Sequence, residues 1–189
     1  MKLITYGSYQ IIQSAQESTP IPSQCPPQAL DPIGYASTSP NVLSVTVANS
    51  SVSNQNFGEL GGPAFSPNHS GQALPGNVVF YAHKLTTPAD GTVVFSSAVD
   101  STSASGWSHV VYRDSNCDGV LNGSEANTPI SGINLGINSG GQLCIINKIY
   151  APSNVPAQDQ YKVITNAQFT YNGGGLAPKN LKVTDLTTS

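Results

Sequence analysis

"YKVITNAQFTY", residues Tyr161 to Tyr171, puts Tyr161, Val163, Thr165, Ala167, Phe169 and Tyr171 on one face of an extended chain. Lys162, Asn166, Gln168 and Thr170 fall on the other face, beside the single apolar Ile164. A period of two with one wet face marks a half-buried antiparallel strand. Working outward, "QLCIINKIY" from Gln142 is apolar on both faces, as a central strand is, and "NVVFYAHKL" from Asn77 and "GTVVFSSAV" from Gly91 read the same way. "GWSHVVYR", Gly106 to Arg113, adds a further strand, and Asn180 to Leu186 another, after turn formers at Gly173 and Pro178. Helical periodicity is almost absent, and turn residues recur about every ten positions, the spacing of a sandwich or barrel of short strands. The expected fold class is therefore all-β.

The chain before residue 60 is organised differently. Tyr9 to Gln13 reads as a strand, and "VLSVTVA", Val42 to Ala48, alternates cleanly. Between them, five prolines from Pro20 to Pro32 prevent continuous helix or sheet. "NFGELGGPAFSPNHSG" from Asn56 reads as an interdomain linker. With 189 residues, two small β domains are expected: a partial β segment over 1–60 and a sandwich over 61–189.

Composition narrows the partners. Charged residues make up 9% of the chain against roughly 25% in an average soluble protein, and the formal net charge is -3. Seven Lys and Arg, scattered singly, argue against nucleic acid and anionic membrane surfaces, both of which need clustered cations. No apolar run approaches the ~20 residues of a membrane helix, so no membrane insertion is expected. The opening "MKLITYGSYQ" lacks the apolar core of a signal peptide. The cysteines are Cys25, Cys117 and Cys144, an odd number whose spacing excludes a zinc ribbon. One bridge in a secreted protein is the simplest reading, with buried thiols in a cytoplasmic protein as the alternative.

The sharpest motif is "DSNCDGVLNGSE", Asp114 to Glu125. It matches the twelve-residue calcium loop, with Asp114, Asn116 and Asp118 at the first, third and fifth places, Gly119 at the sixth and Glu125 at the twelfth. A hard divalent cation wants six to eight oxygens. Alternate side chains therefore turn inward, the Val120 carbonyl contributes from the backbone, Asn122 acts through a water, and Glu125 closes the site with both oxygens. An EF-hand needs a helix on each side of its loop. Here the upstream segment is strand-like and the downstream one carries Pro129 and Gly132, so a calcium clip between strands is expected rather than a sensor. The competing reading is an ion-free turn rich in Asp and Asn.

Together "PGNVVFYAHKLTTPADGTVVFSS", "SGWSHVVYRDSNCDGVLNGSE" and "QLCIINKIYAP" resemble the repeated immunoglobulin-like domains of large bacterial surface proteins. The resemblance covers roughly two thirds of the chain and extends to the terminal "VTDLTTS". It implies an antiparallel immunoglobulin-like β-sandwich with a calcium-binding loop between strands, displayed outside the cell. It also implies that loop Cys117 is bridged to Cys144 on a later strand. The first part, with "GSYQIIQSAQ", "PIGYASTSPNVLSVTVA" and "NQNFGEL", is similar to the end of a prealbumin-like adhesin repeat. It lacks that repeat's first strands and any visible Lys and Asn pair for an isopeptide crosslink. The function implied is a structural module of a surface protein or filament, joined to neighbouring modules or identical subunits.

Nothing points to catalysis: there is no nucleophile elbow and no zinc-binding helix motif. His69, His83 and His109 are too dispersed for a metal site, and packed or surface roles are expected for them. Trp107, Tyr112, Tyr150 and Tyr171 suit either a glycan-stacking face or a sandwich core, which leaves a glycan-binding adhesin module as the alternative function.

Overall fold

The computed structural model describes residues 5–14, 29–32, 34–102, 105–173 and 175–189. Cys25 lies outside them. The chain divides into two compact units, Met1–Gly62 and Pro63–Ser189.

Among its described residues the first unit holds two small sheets. Strands β1 (Gly7–Ile12) and β3 (Val42–Val47) pair antiparallel, with Tyr9 opposite Val45, and β2 (Tyr35–Ser37) pairs with β4 (Glu59–Gly61). Both alternating runs read from the sequence are thus strands. Part of the stretch expected to be a linker is built into β4, and its continuation forms β5 (Ala64–Ser66) and β6 (His69–Gln72) of the second unit. Backbone pairing overrides the Gly and Pro content there, because strands this short fit between the turn residues.

The second unit is a two-sheet β-sandwich. Its remaining strands are β7 (Val78–Thr86), β8 (Gly91–Thr102), β9 (Ser108–Asp114), β10 (Asn134–Ile137), β11 (Gln142–Tyr150), β12 (Gln160–Tyr171) and β13 (Lys179–Thr188). One sheet runs β5-β7-β11-β9 and the other β10-β8-β12-β13-β6. All pairs are antiparallel except β13 with β6. With β5, β7, β8, β9, β11, β12 and β13 taken as successive strands A to G, the sheets are ABED and CFG, the order of an immunoglobulin domain, with β10 and β6 added at the edges.

The alternation read from the sequence lays out the core. Along β12, Tyr161, Val163, Thr165, Ala167, Phe169 and Tyr171 are all buried. β11 is buried on both faces, as expected of a strand with neighbours on either side. The sheet's outer face is covered in part by the crossover between β9 and β10: a Cβ placed on Gly119 would lie 3.8 Å from the Cβ of Ala82 on β7, which stands opposite Ile146 of β11. Ile130 then donates its N–H to Val111 O and Gly132 to Phe95 O, which carries the chain past the β9 edge to the opposite sheet.

Candidate functional site

The crossover that leaves β9 contains the acidic loop. Asp114 is the last residue of β9 and is buried, and Glu125 is buried within a one-turn 3-10 helix, Gly123–Asn127. The loop therefore runs from a strand into a short 3-10 turn and has no helix pair, since Pro129 and Gly132 end the helix early. Gly119 and Gly123 take φ of +77° and +52°, conformations that an L side chain rarely adopts.

Backbone N–H groups organise the carboxylates. Asp114 Oδ2 accepts from Gly119 N (2.9 Å) and Oδ1 from Asp118 N (3.2 Å). Glu125 Oε1 accepts from Ser115 N (2.6 Å) and Oε2 from Asn122 N (3.3 Å). These four bonds tie the loop's first and twelfth residues to its interior, so Asp114 and Glu125 lie in one closed turn. Among the described residues neither carboxylate is in an ion pair.

The exposed half of the loop is arranged differently. Asp118 Oδ1 accepts from Val120 N (2.8 Å), while Oδ2 receives the amide nitrogens of Asn116 (2.8 Å) and Asn122 (3.2 Å). The Val120 N–H foremost, helped by those amides, holds the Asp118 carboxyl below the ordinary carboxylate range. Asn122 Nδ2 also lies 3.3 Å from the Val120 carbonyl oxygen. Among the described residues no three His, Cys, Asp or Glu side chains are grouped so as to hold a metal ion. Of the six residues named from the sequence, Asp114 and Glu125 are buried together, whereas Asn116, Asp118, Val120 and Asn122 sit on the exposed rim. For a cation to be held, both amides must turn their oxygens inward and Asp118 must follow.

The cysteines anchor this loop to the sandwich. Cys117 and Cys144 form a disulfide with their Cα atoms 5.3 Å apart. The register explains the pairing: Cys144 lies directly opposite Asp114, so the bridge fastens the loop's fourth residue to the strand beside its first. Cys117 itself takes φ +57°, which few residues other than glycine adopt. Beside the bridge lies a cleft of about 320 Å³, whose lining includes Ala82, Lys84, Asp114, Asp118 and Gln142.

The histidines belong to the inter-sheet layer. His83 Nε2 lies 3.0 Å from Asp185 Oδ2 and its Nδ1 2.8 Å from the Pro67 carbonyl, so both ring nitrogens face acceptors. Asn147 Nδ2 donates to the same Asp185 oxygen at 2.9 Å. His109 bridges Tyr161 OH (2.8 Å) and Ser97 Oγ (3.0 Å), and burial pushes its pKa below the ordinary value, opposed in part by the charge of Asp185. Sequence reading gave Asp185 no role. Its parity with Val183 and Thr187, both of which are buried, is the signal that would have found it.

Of the two roles read for the aromatic residues, a glycan-stacking face or a sandwich core, three of the four take the core one. Trp107 is stacked on Tyr161 and donates its indole N–H to Asp159 Oδ2 (2.7 Å), and Tyr112 and Tyr171 are also buried. Of the four, Tyr150 alone is only partly buried.

No family model and no curated protein matches the chain. Among solved structures it is similar to the PapD-like domain 7 of human CEP192, with a TM-score of 0.43 and 10% identity over 76% of this chain and 96% of that one. It is also similar to BcpA, the major pilin subunit of Bacillus cereus, with a TM-score of 0.46 and 14% identity over 83% of this chain and 52% of the pilin. A third likeness is to the secreted serine protease VesC of Vibrio cholerae, at 0.40 and 13% over 67% of this chain. The chain spans 23% of that protease's length and 23% of that of a family 123 glycoside hydrolase from Clostridium perfringens. At these scores and identities the likenesses assign no function. Among the described residues no helix is long and apolar enough to cross a membrane.

Proposed function

We propose that the chain is a non-enzymatic structural module of an extracellular surface protein or filament, stabilised by calcium in the Asp114 to Glu125 loop and joined to neighbouring modules or subunits through β-strand contacts. The observation that carries the calcium reading is the pair of buried carboxylates, Asp114 and Glu125, satisfied by N–H groups and, among the described residues, with no cationic side chain paired to either. Buried charge without a counter-charge is unfavourable, and a divalent cation at the loop supplies one. The donors are all oxygens, which suits calcium rather than a thiolate- or imidazole-seeking metal. Strand contacts are favoured by the outer edge of β13, which pairs with β6 only from Asp185 to Thr188 and, among the described residues, leaves Lys179 to Val183 without a sheet neighbour on that side.

Calorimetric titration with calcium, followed by melting with and without chelator, tests the loop. Uptake that is lost in Asp114→Asn/Glu125→Gln is expected, and at an ion concentration 100 times the dissociation constant the linkage stabilises by about 2.7 kcal/mol. No uptake by the loop, with an unchanged melting point, overturns it. Light scattering and negative-stain images at micromolar protein test assembly, for which strict monomers are the contrary result. A glycan-binding adhesin module is the second reading. One partly exposed group favours it: Phe80 and Tyr150 flank Lys148, whose Nζ lies 5.7 Å and 4.8 Å from their ring centroids.

A further inference from the structure

The disulfide stands inside the acidic loop rather than next to it. Cys117 occupies the loop's fourth place, between Asn116 and Asp118, and Cys144 lies opposite Asp114 in the β9–β11 register. One covalent link therefore joins the strand beside the loop's first carboxylate to the middle of its rim. Cys117 takes φ +57°, a left-handed conformation that is unfavourable for an L residue. That turn aims the next two N–H groups, of Asp118 and Gly119, at the Asp114 carboxylate, at 3.2 Å and 2.9 Å. It also sets the direction in which the Asp118 side chain leaves the backbone.

With the bridge open, Cys117 is free to return to negative φ, and Asp118 then swings away from Asp114. Two of the three carboxylates named for the ion diverge. Ordering that is deferred until a ligand binds subtracts from its affinity, whereas ordering done beforehand does not. We propose that the Cys117–Cys144 bridge is the positioning element of the calcium loop, so that the loop binds calcium tightly only after the two thiols have been oxidised. The inference rests on the calcium reading of Asp114 to Glu125 and adds the regulation of that site. In the oxidation the two cysteine thiols give up two electrons and two protons to a small-molecule disulfide. The reagent's S–S bond is cleaved to two thiols as the bond between Cys117 and Cys144 forms.

The surroundings of the bridge suit such an exchange. Cys117 is only partly buried, and the cleft of about 320 Å³ is lined by both cysteines together with Asp114 and Asp118. Redox reagent and ion thus approach from the same side. Lys84 stands opposite Cys144 in the β7–β11 register and lines the same cleft, where it supplies a cation for the Cys144 thiolate formed during exchange. Linkage makes the coupling reciprocal. The factor by which oxidation tightens calcium is the factor by which calcium resists reduction.

The test uses the full chain carrying Cys25→Ser, so that no third thiol exchanges with the bridge. Calcium alone is titrated calorimetrically into the oxidised and the reduced chain, and the bridge's reduction potential is measured in thiol–disulfide buffers with calcium and with chelator. Reduction is expected to weaken calcium binding at least about tenfold. At calcium saturating both forms, that factor makes the potential about 30 mV more negative than in chelator. Cys117→Ser/Cys144→Ser should bind calcium as weakly as the reduced chain. Cys117→Gly/Cys144→Ser, in which glycine takes the left-handed turn freely, should bind it more tightly than that pair. A bridge that merely braces the sandwich changes stability in these variants but leaves the potential indifferent to calcium. Equal affinities of the oxidised and reduced chains, with a potential unmoved by calcium, overturn the inference and leave the loop reading standing. Equal affinities of the glycine and serine variants overturn the turn at Cys117 as its cause. No uptake by the oxidised chain overturns both the inference and the loop reading. Should the variants fail to fold, the potential of the intact bridge decides.

Discussion

Asp185 shows how much one inward-facing polar residue decides. It sits at the apolar parity of β13, where it accepts from His83 on β7 and Asn147 on β11. It therefore ties the two sheets together through polar bonds in a layer otherwise packed with Phe95, Phe169 and Ile145. Asp185→Ala leaves two buried donors unmet and should destabilise the second unit by about 3–5 kcal/mol, as breaking a buried pair typically does. Urea unfolding measures it, and a loss below about 1 kcal/mol, the size of an ordinary exposed pair, contradicts the role. His109 titrates in the same layer. Its folded pKa lies below its ordinary value, so the unfolded chain binds more protons just below about pH 6.5. The contribution is present above that pH and is lost as pH falls through the folded pKa. At fixed calcium, His109→Gln should narrow the difference in melting temperature between pH 7.5 and pH 5, and an unchanged difference removes His109 from the acid response. Packed or surface roles were legible for these histidines but their partners were not, because a period-two pattern shows which way a side chain points and not what lies across the core from it.

At the scale of elements, the long strands were legible because each combines alternation or a continuous apolar run with flanking turn residues. The short ones, β2, β4, β5, β6 and β10, were not, since three or four residues cannot display a period. Their pairing comes from neighbours already in place. Gly91, the first residue of β8, shows how closely such neighbours sit. A Cβ there would lie 2.5 Å from the Thr170 carbonyl oxygen and would also meet the Phe169 ring. Because the carbonyl belongs to the β12 backbone it cannot swing away, and Gly91→Ala should cost about 1–3 kcal/mol by overpacking, read by thermal unfolding. The loop's cysteine was readable only through family resemblance. Its partner is set by the β9 to β11 register that places Cys144 opposite Asp114. With a separation of 27 residues, removing the bridge in Cys117→Ser/Cys144→Ser should cost roughly 3–4 kcal/mol in the chain-entropy treatment. A loss well below this in denaturant unfolding means that the loop is held by its hydrogen bonds instead.

At the scale of the whole molecule, the two units have very different means of staying folded. Pro63–Ser189 has sheets of four and five strands with a core between them, a disulfide and a buried polar tie. Met1–Gly62 offers, among its described residues, two sheets of two strands each, and Tyr6, Tyr35 and Ile11 stay exposed. A two-stranded sheet is marginal in water, and units below about 70–80 residues seldom gain more than ~3–5 kcal/mol from a single core. The stability of the first unit is therefore expected to be the lower of the two and to depend on what binds it. Prepared as separate chains, 63–189 should unfold in one cooperative urea transition, while 1–62 should show shallow, non-cooperative loss of structure. In the full chain, β1 and β3 amides should exchange before those of β11 and β12. If 1–62 unfolds cooperatively with protected β1 and β3 amides, its own packing is sufficient, and no strand from another module is needed to complete it.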